Sequence, residues 1–305
     1  MAPLRLRHLH LPSIHPHYIP YRLADRVQQH LRRQHLDFKD GSAAAVRPPP
    51  PTLISFTPSP IYTLGRRQTT PLTPPEAARL TAPLQIPIPP PPPWRRQTKT
   101  SPPNTNTNTT NSNHDSSTAT ATLHPQILHS PRGGLTTYHG PGQAVLWPVL
   151  DLRSPHHRHF SVKCYARLLE RTTIEMLWRV FGVEGGTTGD PGVYDGDEAA
   201  NPWARFVACG LAGQGVTSLA REVVAAEGGG DDGGLAGVDE RLLASAGGGY
   251  GSREGAVAHA WAGVLAEGIG LGEGGVEAVE GREDGEEVEE EMLYLEGVRG
   301  VVGRK

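Results

Sequence analysis

From Arg132 to Trp147 the chain reads Arg-Gly-Gly-Leu-Thr-Thr-Tyr-His-Gly-Pro-Gly-Gln-Ala-Val-Leu-Trp, a polar, glycine-dense loop that runs straight into an apolar strand. A loop of this kind at the end of a strand builds a ligand pocket. Gly133, Gly134, Gly140 and Gly142 remove side chains where backbone must approach a ligand or take positive φ, and Pro141 stiffens the turn between them. Arg132, Thr136, Thr137, Tyr138, His139 and Gln143 supply hydrogen-bonding groups.

The flanking segments predict an α/β protein. Leu23, Ala24, Val27 and Leu31 have helical spacing, with Gln28, Gln29, Arg32 and Arg33 on the opposite side. Leu53 to Thr57 and Ile61 to Leu64 read as two short strands parted by a Pro-Ser-Pro turn, and Ala144 to Leu152, with Pro148 inside, as a buried or edge strand. Phe160 to Phe181 keeps helical spacing through Tyr165, Leu168, Leu169, Thr172, Met176, Leu177 and Val180; Cys164 falls within it among apolar neighbours and is expected to pack. Arg205 to Leu211 reads as a strand, Thr217 to Ala226 as a helix capped by Thr217 or Ser218, and Ser252 to Glu267 as another helix.

Composition adds decorations to this domain. Gly and Pro number 37 and 29, and they cluster. Residues 86 to 124 hold a proline run and an Asn/Thr/Ser tract that lacks the apolar surface to offset backbone ordering, so a disordered surface insertion is expected. Residues 228 to 251 read as a glycine-rich linker and 271 to 305 as an acidic tail, which leaves 1 to 270 as the main domain. Up to residue 185 there are 21 Lys and Arg against 9 Asp and Glu, and beyond it 8 against 23. Such halves solvate separate faces or attract each other, and a basic half also suits an acidic protein partner. No apolar run reaches the roughly 18 to 20 residues of a membrane helix. Cys164 and Cys209 give no disulfide framework, and neither a membrane nor a nucleic acid is expected as partner.

Arg5, Arg7 and Arg22 precede the first acidic residue, Asp25, so the N-terminal stretch is compatible with a mitochondrial import leader. His8 and His10, His15 and His17, and His156, His157 and His159 lack a completing cysteine or carboxylate and read as loop histidines, not metal ligands. Gly247 to Gly251 has no adjoining Lys-Ser/Thr and is no phosphate loop.

Cys209 lies in Arg-Phe-Val-Ala-Cys-Gly-Leu-Ala-Gly-Gln-Gly-Val-Thr-Ser-Leu: apolar strand, thiol, glycine loop, helix start. Taken alone, such a cysteine is either packed core or a thiol held on rigid scaffold facing backbone N–H groups.

The run Arg132 to Gln143 resembles the R-G-G-x-x-T-aromatic-H-G-P-G-Q motif of the lipoyl(octanoyl) transferase family. Ser59 to Arg66 is similar to its P-x-aromatic-T-x-G motif, and the residues on both sides of Cys209 to its A-C-G and G-V-T-S motifs. The matched segments cover most of residues 4 to 225. The resemblance implies a mixed β-sheet flanked by helices, like that of lipoate and biotin protein ligases. It implies transfer of an octanoyl group from octanoyl-acyl carrier protein, through a thioester on Cys209, to a lysine of lipoyl domains in 2-oxoacid dehydrogenase complexes and of the glycine cleavage H protein. Arg132, Gly133, Gly134, Leu135, Thr136, Thr137, Tyr138 and His139 would line the substrate pocket; no cofactor or metal is called for, and the location implied is the mitochondrion.

One departure is sharp. The family has a lysine-bearing strand and a second strand where this chain passes from Ala200 to Asn201, so roughly 25 to 30 residues, two strands with their turns, are expected to be lost. The lysines are Lys39, Lys99, Lys163 and Lys305, none in a catalytic context. The alternative this raises is an impaired or inactive family member, a splice form or incomplete gene model that retains acyl or lipoyl binding. An ATP-using ligase would need an adenylate-binding lysine motif, which is absent.

Overall fold

The computed structural model describes residues 4–13, 18–42, 47–88, 92–94, 120–186, 202–206, 217–226, 234–246, 250–271 and 275–280. In chain order the elements are β1 (Leu6–Leu11), α1 (Tyr21–Lys39), β2 (Thr52–Phe56), β3 (Ile61–Leu64), α2 (Pro74–Thr81), β4 (Leu84–Pro87), β5 (Thr120–Leu123), β6 (Gln126–His129), β7 (Thr136–His139), β8 (Val145–Val149), α3 (Val162–Met176), α4 (Leu219–Ala226), α5 (Gly234–Ala246), α6 (Arg253–Ile269) and β9 (Val276–Glu280).

The central sheet has the order β8-β2-β1-β9, with β1 parallel to β2 and β9, and β8 antiparallel to β2. Pro148 is tolerated because β8 lies at the edge. Side chains alternate across β1 as the pleat demands. Leu9 and Leu11 join Ile54, Phe56, Val145 and Val149 beneath Leu23, Val27 and Leu31 of α1. Leu6 faces the other way with Leu53, under a layer that includes Met176 and Phe181 and the Ala256, Trp261, Leu265 and Ile269 face of α6. A second sheet, β6-β3-β7, and a ribbon, β4-β5, complete the mixed α/β fold.

Local chemistry sets the helix ends. Ser161 accepts from Cys164 N–H at the head of α3, and a wider turn over Leu177–Phe181 extends the helix to Gly182, whose φ of 64° stops it. Ser252 caps α6, and Ser218 accepts from Arg221 N–H at 3.3 Å in α4. Thr73 and Glu76 form a reciprocal capping box at α2. No helix among the described residues is long and apolar enough to cross a membrane.

Several expectations are corrected. Residues 6–11, in a stretch compatible with an import leader, form a central strand, so His8 and His10 are buried strand residues and not loop histidines. The linker at 228–251 contains the helix α5, because Leu235, Val238 and Leu242 keep helical spacing and Val238 and Leu242 reach the core. Arg205 closes a 3₁₀ turn, Pro202–Arg205, instead of opening a strand; residues 207–211 lie outside the described residues. Cys164 is exposed, since α3 turns that side outward. Within the segment 86–124, β4 and β5 pair antiparallel, and Trp94 donates its indole N–H to Tyr250 O at 2.7 Å and packs on the core. Beyond residue 270, β9 runs parallel to β1 with Leu6 opposite Val276. The gap between Ala200 and Asn201 and the acidic run beyond Glu280 fall outside the described residues.

Candidate active site

Thr136, Thr137, Tyr138 and His139 are β-branched and aromatic residues that suit a strand, and they form β7, antiparallel to β3 with Tyr138 opposite Tyr62 and Thr137 opposite Thr63. The preceding loop folds back over the end of β3. Gly65 N–H donates to Leu135 O at 3.2 Å, Arg66 N–H to Arg132 O at 3.0 Å, and Arg67 N–H to Gly134 O at 3.1 Å. Gly134 has φ 88°, and any Cβ at Gly65 would strike Gly134 O. Both glycines are there because the two backbones touch.

Arg132 holds the loop in that shape. Its Nε donates to Thr63 Oγ1 at 2.9 Å, Nη1 to Gly133 O at 2.9 Å, and Nη2 to Leu135 O at 2.7 Å and to Thr63 O. Two of these bonds go to the loop's own carbonyls, Gly133 O and Leu135 O, and two to Thr63, so the guanidinium fastens the loop to β3.

Tyr138 is buried, its ring 5.2 Å from that of Tyr62, and burial pushes its phenol up. A Cβ at Gly140 would collide with the Tyr138 hydroxyl, which explains a glycine directly after β7. His139 stacks on Tyr21 at 5.7 Å; Tyr21 meets Trp147 edge-on at 5.2 Å, and Trp147 meets Phe56 at 4.8 Å. Burial first, then the positive charge of Arg132, lowers His139 to about 4 against the opposing bond with Gln143. Its imidazole is therefore neutral at neutral pH: a hydrogen-bonding group and a weak base. The loop and β7 thus adjoin an aromatic cluster of Tyr21, Phe56, Trp147 and His139.

A second arm reaches the same strands. Tyr62 Oη donates to Pro202 O at 2.7 Å, Phe206 packs edge-on against Tyr62 at 5.3 Å, and Arg205 donates to Ala82 O at 2.5 Å and Pro83 O at 2.8 Å. Burial raises Tyr62 to about 12. The run into the Cys209 segment is thus anchored beside β7 through Tyr62, a role that no local pattern around Tyr62 announces. Cys209 itself lies outside the described residues, as do Lys99 and Lys305. Lys39 is paired with Asp151 at 2.8 Å, and Lys163 is exposed in the first turn of α3. Among the described residues no group of three His, Cys, Asp or Glu is arranged to hold a metal.

No family model matches the chain. It is similar to a mitochondrial octanoyl-acyl-carrier-protein:protein N-octanoyltransferase of Danio rerio, 30% identical over 235 residues, which span 69% of this chain and 82% of that protein. An octanoyltransferase of Desulfovibrio desulfuricans is 35% identical over 124 residues, 32% of this chain and 51% of the relative. One of Rickettsia africae is 43% identical over 58 residues, 19% of this chain and 27% of the relative.

Proposed function

Because the chain belongs to the octanoyltransferase family, we propose that it carries an octanoyl group from octanoyl-acyl carrier protein to the lysine of a lipoyl domain by way of Cys209. The Cys209 thiolate attacks the thioester carbonyl, a new C–S bond forms, and the carrier's thiol leaves with a proton. The acceptor's lysine amine then attacks the enzyme thioester, an amide forms, and the Cys209 thiol is released. Arg132 to His139 form the acyl pocket, with Arg132 shaping the loop and His139 a neutral hydrogen-bonding partner.

The observation that carries this reading is the anchor at Tyr62. Cys209 follows Phe206 by three residues, and three residues span at most about 11 Å. Phe206 packs on Tyr62, which sits opposite Tyr138 of the glycine-loop strand. The covalent chain therefore supports a thiol within reach of the pocket. Exposed Arg66 and Arg67 at the loop suit an acidic carrier. The acceptors would be the lipoyl domains of 2-oxoacid dehydrogenase complexes and the glycine cleavage H protein, and the compartment the mitochondrion, as in the name of the Danio rerio relative.

A second reading, a family member with impaired transfer, is favoured by the lysine inventory: Lys39 is ion-paired and Lys163 lies on the surface, so neither supports a thiolate at Cys209. One experiment separates the two. Incubation with octanoyl-acyl carrier protein followed by intact-mass analysis should show one octanoyl thioester, lost in Cys209→Ser and kept in Cys164→Ser. Onward transfer to a lipoyl domain marks the competent enzyme; a thioester without transfer marks the impaired one. Equal labelling of both variants rejects Cys209 as the nucleophile.

A further inference from the structure

His8 and His10 occupy positions of β1 that face the α6 layer, where the pleat places Leu6, and they are 0% and 7% exposed. Between them stands Ser55 of β2, its Oγ 2.8 Å from His8 Nε2 and 2.9 Å from His10 Nδ1. On the far side His8 Nδ1 lies 3.4 Å from Tyr250 Oη and 3.4 Å from His259 Nδ1, and the Tyr250 hydroxyl is hydrogen-bonded to His259 Nδ1. His10 Nε2 lies 3.4 Å from Ser252 Oγ, which accepts from Gly255 N–H at 3.0 Å as the cap of α6. The approach is close enough that a Cβ at Gly255 would come within 2.8 Å of His10 Nε2.

A hydroxyl has one proton, so each link has a direction. With all three imidazoles neutral, two assignments of opposite direction satisfy every link. In one, His259 Nδ1–H donates to Tyr250 Oη, whose proton goes to His8 Nδ1, and His8 Nε2–H donates to Ser55 Oγ, whose proton goes to His10 Nδ1, while His10 Nε2–H donates to Ser252 Oγ; in the other every donor and acceptor is exchanged. A further proton on His8 makes both of its ring nitrogens donors, so part of the chain must reverse to stay bonded, and it places a full positive charge on a side chain that is 0% exposed.

Across the β1–β9 ladder His8 faces Ala278, whereas His10 lies opposite Glu280. On the helical side Asp239 is held by Arg253 through two bonds of 2.6 and 2.7 Å, and Glu254 acts on Tyr18. Glu277 acts on Arg7 of β1.

We propose that this network is a proton-operated latch between the central sheet and the C-terminal helical layer. With the imidazoles neutral it fastens Tyr250, Ser252 and α6 to β1 and β2, and a proton taken up by His8 releases them. Burial, reinforced by His10 and His259, lowers His8 to about 3, and burial lowers His10 to about 4 and depresses His259. These values lie below the free imidazole value, so the latch is at full strength above about pH 6.5 and weakens as pH falls below it. For His8 alone, release at pH 5 is favoured about 30-fold over its level at neutral pH.

Amide hydrogen exchange of the full chain at pH 7.5 and 5.0, corrected for intrinsic rates, tests this. Peptides of α6 should lose protection by at least about 30-fold, and more than those of α1, and His8→Gln, which keeps a donor for Ser55 but cannot be protonated, should remove about 30-fold of the difference. Unchanged protection of α6 at pH 5, or an undiminished pH effect in His8→Gln, overturns the latch. If the variant does not fold, the imidazole resonances of the parent chain decide. A His8 that stays neutral until α6 opens supports the proposal; a His8 that titrates near 6.5 with α6 still protected rejects it.

Discussion

The two faces of the central sheet solve the same packing problem with different chemistry. Beneath α1 the strands β1 and β2 contribute the apolar Leu9, Leu11, Ile54 and Phe56, with the hydroxyl of buried Thr52 bonded to Pro50 O. Beneath α6 the same strands present Leu6 and Leu53 together with His8, His10 and Ser55. The first face is held mainly by area removed from water, with His139 against Tyr21 and His35 of α1 as titratable groups at its margin. The second is held in part by directed hydrogen bonds among titratable groups, and a buried polar network is strong only while every member is satisfied. One sheet can therefore have a less and a more pH-sensitive side.

The largest test of this contrast is Phe56→Ala. Phe56 is 1% exposed and touches both Tyr21 and Trp147, so its loss should cost about 3 to 5 kcal/mol by denaturant unfolding. The loss should be equal at pH 7.5 and 5.5; a strongly pH-dependent cost would break the contrast from the dry side.

Next comes Asp239→Asn. The Arg253–Asp239 pair is 14% and 10% exposed, and its removal strands a mostly buried guanidinium at the start of α6. We expect about 2 to 3 kcal/mol at pH 7.5. A neutral result would mean that α6 is held without help from its polar contacts.

Ser252→Ala removes the cap of α6 and the partner of His10 together. The expected cost is about 1 kcal/mol at pH 7.5, shrinking at pH 5.0 where the latch is already weakened. Constancy across that range would separate the cap from the latch.

Smallest of all is Arg33→Ala on α1. Its pair with Asp37 is 66% exposed on the arginine side, so unfolding should move by less than about 0.5 kcal/mol. A larger shift would show that the α1 face, too, depends on charge.

Much of the fold was legible where the signal is local. The apolar stripe of α1, the spacing of α3 and α6, and the strands around residues 53–56 and 61–64 follow from periodicity. The glycine loop was legible too, since Gly65 and Gly134 mark a contact of backbones. Some local signals went unread: Thr73-Pro74-Pro75-Glu76 is a capping box and starts α2, and Leu235, Val238 and Leu242 mark α5 inside a glycine-rich stretch. The inward turn of the Arg132 guanidinium had no local signal, because its partners come from β3 as well as from its own loop.

By itself the sequence determined the family, the glycine loop and the helices whose faces repeat every few residues, because those depend on neighbours along the chain. Only the tertiary structure decided that Leu6 to Leu11 is a strand between β2 and β9, with Leu6 opposite a residue as distant as Val276. The pattern of Leu9 and Leu11 on one side and His8 and His10 on the other resembles neither a simple amphipathic strand nor a loop. Two histidines can stand in core positions only when Ser55, Tyr250, Ser252 and His259 arrive to complete their hydrogen bonds, and those partners come from segments far away in the chain. Pairing of that kind is fixed by the packing of whole layers, which no window of sequence contains.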